Sequence, residues 1–197
     1  EDGPYTILGK TIDDAAGECL DKVGRMLNLG YPAGPVIEKM AKQGSETAYQ
    51  FPLPMTQIKT YDLSFSGLKT HSRNLLEKLQ QKKPLNKTQI CDFAASIQYA
   101  VFRHICYKLN KILKKEKISQ IWLGGGVAAN TKLRQMIRET IKPYKADLTN
   151  PKLAVPYTKK LCQDNAAMIG LAAQFHIDKA VGKNGFDEIE RVPRMGV

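Results

Sequence analysis

The stretch ISQIWLGGGVAAN, residues 118–130, runs from a short apolar segment straight into three glycines and then into helix-forming sequence. Ile118 to Leu123 is the best strand signal in the chain, being short, largely apolar and partly β-branched. The glycines let the backbone turn sharply and let a ligand come close, and the free amides of the helix that follows attract anions. Gly124, Gly126 and Ala129 also satisfy the G-x-G-x-x-A pattern of dinucleotide-binding turns. That pattern belongs to the first turn of a βαβ unit, whereas here a long helical segment precedes the strand. The loop holds no lysine, so it is not a Walker motif. Contact with a nucleotide or phosphate and a plain strand-to-helix turn both remain open.

On either side the periodicity is mostly helical. Thr88 to Lys115 carries the apolar stripe of one long helix, including Phe93, Ile97, Val101 and Ile105. Lys108, Lys111, Lys114 and Lys115 in its last turns suit the negative end of the helix dipole. Ala129 to Ile141 predicts another helix, and residues 146–156 an extended segment with room for a second strand. Upstream, Thr11 to Leu29 predicts a helix stopped by Gly30, and a shorter one starts at Pro35 and ends before Gly44. Pro52 and Pro54 keep residues 45–63 irregular, Ser66 caps a helix to about Gln80, and Tyr5 to Leu8 is a short β-like run. Asp164 to Val181 predicts a helix apolar on most sides and therefore buried. The sum is a helix-rich α/β chain with too few strands to complete a sheet. Its exposed sheet edge invites a homodimer.

The chain has 197 residues, 43% hydrophobic and 25% charged, which suits an ordinary globular protein with one sizeable domain. No apolar run reaches the roughly 20 residues of a bilayer helix, so no membrane association is expected. The first residue is Glu1, and Glu1 to Pro4 has neither the basic end nor the apolar core of a secretory signal. The expectation is that the chain starts inside a longer gene product. Cys19, Cys91, Cys106 and Cys162 lack close spacing and are expected to be reduced core residues of a cytoplasmic protein. A formal net charge of +11 is compatible with a polyanionic partner without requiring one.

Acidic residues mark the other candidate positions. In LCQDNAAMIG (161–170), Asp164 either caps the helix that follows or presents its carboxylate to a metal. Asp13, Asp14 and Asp21 lie on the first predicted helix and Glu38 on the second. Asp21 points away from the apolar stripe, toward either solvent or a cleft. His71, His104 and His176 show no paired-ligand spacing, and no nucleophile–base pair can be assembled, so no catalytic residue is named.

Four ordered blocks narrow these options: LGKTIDDAAGECLDKVGRMLNLGYPAGPVIEK (8–39), DLSFSGLKT (62–70), LGGGVAANTKLR (123–134) and CQDNAAMIG (162–170). Together, over about residues 6–175, they resemble the carboxyl-terminal half of the TsaD (YgjD, Gcp) family. The resemblance implies one lobe of an actin-like ATPase (ASKHA) fold, a single domain over residues 1–197 with a helical insertion at about 35–115. It implies an acyltransferase that moves threonylcarbamoyl from threonylcarbamoyl-adenylate to N6 of adenosine 37 in ANN-decoding tRNAs. On that analogy Asp21 would bond the substrate's ribose hydroxyls, Gly34 would admit the nucleoside, and Glu38 would add a second ribose contact. Gly125, Gly126 and Asn130 would meet the adenine nucleotide, whether the adenylate or ATP. Asp164 would be the third ligand of an iron or zinc ion. The implied partners are tRNA and TsaB-like and TsaE-like subunits, in the cytoplasm.

Two family motifs, the HxxxH that carries the other metal ligands and the SGGHT phosphate loop, do not occur in these 197 residues. The expectation is that the chain starts just after that loop, holds no metal by itself, binds nucleotide weakly at most and is inactive alone. Gln163 stands where many members have Thr. The alternatives are a sugar- or acetate-kinase-like phosphotransferase, and a non-catalytic module that docks on tRNA or a partner. Lys82, Lys83, Lys87 and the lysines from Lys108 to Lys117 would serve such a module.

Overall fold

The computed structural model describes residues 6–81, 83–146 and 150–175. Tyr5, Lys82, His176 and the predicted helical span beyond Phe175 lie outside the described residues. The elements are α1 (Ala16–Met26), α2 (Gly34–Ala41), α3 (Ser66–Gln80), α4 (Lys87–Leu113), β1 (Gln120–Trp122), α5 (Thr131–Ile141), β2 (Lys152–Ala154) and α6 (Ala166–Phe175). A 3₁₀ turn, Gly126–Ala129, links β1 to α5.

Asn86 opens α4. Its Oδ1 accepts from the Gln89 amide at 2.9 Å while Gln89 Oε1 accepts from the Asn86 N–H at 3.0 Å, so two free amides are satisfied reciprocally. The predicted apolar stripe is present, but burial extends past it to Ala95, Ala100, Phe102, His104 and Lys108. The reason is that α2, α3 and α5 all pack on α4. Gly44, just past α2, sets how close the α2–α4 approach is. A Cβ there would stand 2.1 Å from the Cys91 carbonyl oxygen.

Residues 45–62 form no regular helix or strand beyond turns, as the prolines predict. Side chains of α4 hold this strap by its backbone. Ser96 Oγ donates to Ser45 O and accepts from Tyr49 N, Arg103 donates to Phe51 O at 2.8 Å, and Tyr107 donates to Thr56 O. Lys108 Nζ reaches Met55 O and, at 2.8 Å, Thr60 O. Backbone carbonyls that a loop leaves without partners are thereby satisfied. Lys108 was expected among the surface charges at the helix end. It is 2% exposed instead, because its ammonium is fixed under the strap.

β1 and β2 pair in parallel, with Ile121 opposite Leu153 and Trp122 opposite Ala154. Ile121 and Leu153 pack on the core, while Trp122 is 80% exposed. Among the described residues the sheet has these two strands, so the helix-rich α/β class with a small sheet stands. All four cysteines are buried and free. No helix among the described residues is long and apolar enough to cross a membrane.

Four expectations need correction. First, α1 begins at Ala16, because residues before it are engaged elsewhere. Thr11 makes a lone parallel bridge to Leu63, and Asp13 Oδ1 accepts from the amides of Phe65 (2.7 Å) and Ser66 (3.2 Å). Asp13 Oδ2 accepts from the hydroxyls of Ser64 and Ser66. Second, Ser66 is therefore the first residue of α3 and not its cap; Asp13, distant in sequence, does that work. Burial pushes the Asp13 carboxyl up, but these four hydrogen bonds outweigh it and hold the pKa at about 2. Asp13→Ala is expected to lower stability by about 1–2 kcal/mol in urea unfolding. An unchanged midpoint would remove Asp13 as the cap. Third, α6 is not buried. Ala166 to Gln174 are all exposed, with Met168, Ile169 and Leu171 at 46%, 62% and 58%. Apolar composition states a drive to be covered, and no other described element supplies the cover. The β-like run at 5–8 also forms no strand over its described part, where Ile7 and Leu8 are exposed.

Candidate nucleotide face

The glycine turn is where the family resemblance implies a nucleotide. Gly125 has φ +86°, a conformation that L side chains rarely adopt, so the backbone itself requires glycine there. Among the described residues, leaving aside each glycine and its chain neighbours, no atom lies within 4 Å of the position a Cβ would take on Gly124 or Gly125. The turn's backbone is thus bare. Helix α1 reaches the same turn through Gly17, whose Cβ position lies 3.1 Å from Val127 Cγ2.

Asp21 and Glu38 each hold the start of a helix. Asp21 Oδ1 accepts from the amides of Ala33 (2.8 Å) and Gly34 (3.0 Å), where α2 begins. Its Oδ2 accepts no hydrogen bond among the described residues, and the side chain is half-buried. The nearest atom to a Cβ on Gly34 would be Asp21 Oδ1 at 3.9 Å, so packing within the described chain does not demand glycine there. Glu38, one turn along α2, accepts with Oε1 from the amide (2.9 Å) and hydroxyl (2.6 Å) of Thr131 at the start of α5. Lys159 Nζ stands 3.4 Å from Glu38 Oε2. Burial pushes the Glu38 carboxyl up, but Thr131 and the Lys159 ammonium outweigh it and hold its pKa below the usual glutamate value.

Asn130 is 7% exposed and its side chain is engaged inside the protein. Oδ1 caps α5 by accepting from the amides of Lys132 (2.9 Å) and Leu133 (3.4 Å), and Nδ2 donates to Gln98 Oε1 at 2.8 Å. Of the two readings of Asp164, capping falls. Asn165 caps α6, accepting from Met168 N at 3.0 Å, and Asp164 is exposed with no hydrogen bond among the described residues. Gln163 Nε2 lies 3.8 Å from the Cβ position of Gly126, which brings this segment beside the glycine turn.

The structure therefore gathers the starts of α2 and α5, the glycine turn and residues 159–164 into one neighbourhood. The family described as "TsaD: tRNA N6-adenosine threonylcarbamoyltransferase" matches residues 1–171. The chain belongs to the TsaD family. Relatives named tRNA N6-adenosine threonylcarbamoyltransferase include one from Crocosphaera subtropica, 46% identical over 182 residues, covering 90% of this chain and 51% of the relative. One from Carboxydothermus hydrogenoformans is 45% identical over 174 residues, 88% of this chain and 48% of the relative. One from Thermosipho africanus is 39% identical over 197 residues, all of this chain and 56% of the relative. The chain spans about half the length of the curated TsaD relatives it matches.

Sequence reasoning missed two residues of this neighbourhood. Thr131 could have been found, since a hydroxyl residue directly after a capping Asn marks a helix start. Lys159 gave no signal, because its partner Glu38 is 121 residues away. Three cavities of about 290, 270 and 550 Å³ lie along α4, and none is lined by Asp21, Gly34, Gly125, Gly126 or Asp164. A metal does not fit the described residues: no group of three His, Cys, Asp or Glu side chains stands together among them. Asp164 offers a single carboxylate, and no chemical step is assigned to a metal here.

Proposed function

We propose that this chain supplies the nucleotide-facing lobe, in an actin-like arrangement, of an enzyme that moves threonylcarbamoyl from an adenylate to N6 of adenosine 37 in ANN-decoding tRNAs. The observation that carries this reading is the half-buried carboxylate of Asp21, one turn along α1 from Gly17, which meets the segment after the glycine turn at Val127. Its Oδ1 is pinned by two amides of α2 while its Oδ2 accepts nothing within the described chain. A carboxylate so held has little freedom left to lose when a ribose hydroxyl donates to its second oxygen. Room at Gly34 admits the nucleoside to the same place. The Glu38–Thr131 contact keeps α2 and α5 in register, so the amides of the glycine turn face the nucleotide. In the reaction, N6 of the adenosine attacks the carbamoyl carbon and AMP leaves; the groups described here bind and orient. Asp164 would serve as one metal ligand once the whole protein brings the others, and TsaB-like and TsaE-like subunits are the partners of that whole protein. The names of the relatives favour this acyl transfer over a kinase-like phosphotransfer.

Calorimetric titration of the 197-residue chain with a non-hydrolysable adenylate analogue tests the site. Weak binding that Asp21→Ala abolishes is expected, and equal affinity in the folded variant would overturn the assignment. The chain alone, given tRNA, adenylate and helper subunits, is expected to form no threonylcarbamoyladenosine. Measurable product would refute that part.

A further inference from the structure

Four lysines of the described chain sit in ion pairs: Lys22 and Lys69 with Asp14, Lys132 with Glu46 and Lys159 with Glu38. Others, scattered along the sequence, form none among the described residues. One edge gathers several of these. Lys10, Lys59, Lys111, Lys114, Lys115 and Lys117 form no ion pair among the described residues, yet the fold draws them together from three separate segments. Lys111 Nζ donates to Ile58 O at 2.9 Å, which places Lys59 against the end of α4. Leu63 N donates to Lys10 O at 2.9 Å, which places Lys10 against the end of the strap. The ammonium of Lys115 lies 5.9 Å from the Tyr61 ring centre, and that of Lys111 lies 5.6 Å from Tyr107.

A helix dipole accounts for lysines on the last turns of α4. It does not account for Lys10 and Lys59, which come from outside that helix. The acids nearby are Asp62, whose Oδ1 accepts from the Lys10 amide, and Glu116. Like charges gathered this way repel one another and disfavour the compact state unless something anionic covers them. Tyrosine faces beneath two of the ammoniums hold them in place at the surface. The edge also has a defined position. Lys117 precedes β1 and Gly124 follows it, so chain length keeps the two within about 25 Å. An RNA whose adenosine attacks an adenylate held at the glycine turn has neighbouring phosphates within that reach.

We infer that this edge docks the phosphate backbone of RNA, separately from the nucleotide face. The inference rests on the tRNA reading above and adds to it the surface that holds the RNA. Such contacts are indifferent to base sequence and sensitive to salt. The test is fluorescence anisotropy of labelled tRNA with the full 197-residue chain between 50 and 200 mM salt. The triple variant Lys114→Glu/Lys115→Glu/Lys117→Glu is expected to bind about ten-fold or more weakly. The slope of log affinity against log salt should flatten by about 2–3, for tRNAs of any anticodon. Lys10→Glu/Lys59→Glu should act in the same direction, and it carries the test if the triple variant does not fold. Folded variants with wild-type affinity and slope would overturn the inference, as would flat salt dependence of the wild-type chain. Binding to anionic vesicles without binding to tRNA would overturn it in favour of a membrane surface. The adenylate titration separates the two readings. RNA binding lost with the lysines in a chain that takes no adenylate leaves the edge standing and the nucleotide face fallen. Adenylate bound by a chain whose RNA slope ignores the lysines does the reverse.

Discussion

Gly44→Ala is expected to destabilise the chain by about 3 kcal/mol or more, the upper range for overpacking a tight contact. The added methyl would lie 2.1 Å from the Cys91 oxygen, 2.3 Å from its carbonyl carbon and 2.6 Å from Asp92 N. All three are backbone atoms of α4, so no side-chain rotation relieves the clash. The segment cannot easily swing out, because Ser45 N donates to Asp92 Oδ1 at 2.7 Å. Relief therefore has to come from separating α2 and α4, and α2 carries Gly34 and Glu38. Loss of stability and weakened adenylate binding should appear together. Gly67→Ala is the control, since nothing lies within 4 Å of its Cβ position. It should change stability by no more than about 0.5 kcal/mol. Equal unfolding midpoints for Gly44→Ala and the wild type would contradict the close approach.

Acid should weaken the fold well before the carboxylates protonate. His104 is fully buried, its Nε2 accepts from Ser64 N at 3.2 Å, and the edge of its contact is the Phe65 ring at 5.5 Å. Burial, and then the positive charge of Lys108, push its pKa down from 6.5 to about 4, with Asp13 pulling weakly the other way. Between those values the unfolded chain takes up a proton that the folded chain refuses. Stability is thus complete above pH 6.5 and falls as pH drops toward 4, by about 3 kcal/mol from this one group. Asp13 adds no slope in that window, since its stabilisation is fully present there and fades only below its ordinary value of 3.8. Unfolding free energies measured from pH 7 to 4.5 should show the slope, and His104→Gln should flatten it. The same slope in the variant would assign the acid sensitivity elsewhere.

What the chain revealed before folding was what lies close together in sequence. The strand, the glycine turn and the next helix are written within ISQIWLGGGVAAN, and all three are present in place. The proline-bearing strap is local in the same sense. The family was legible from four ordered blocks and is borne out by the match over residues 1–171. Roles that depend on distant partners were not legible. Asp13 acts on residues 52 and 53 positions away, and Glu38 on Thr131, 93 away. Lys108 looked like a surface charge because the strap that covers it crosses from 48 residues upstream. The functional assignments of Asp21, Gly34 and Asp164 rest on resemblance, and the geometry adds that the first two are joined by a hydrogen bond.

The flank of α6 that no other described element covers has a consequence for the 197-residue chain when it is expressed by itself. Nine successive exposed residues, seven of them alanine, methionine, isoleucine or leucine, are the kind of surface that holdase chaperones and energy-dependent proteases read as unfinished folding. How much of this chain accumulates is then set by a race between covering that helix and clearing the chain. Its abundance should follow the supply of whatever surface settles on α6, even where the rest of the fold is as stable as its core allows.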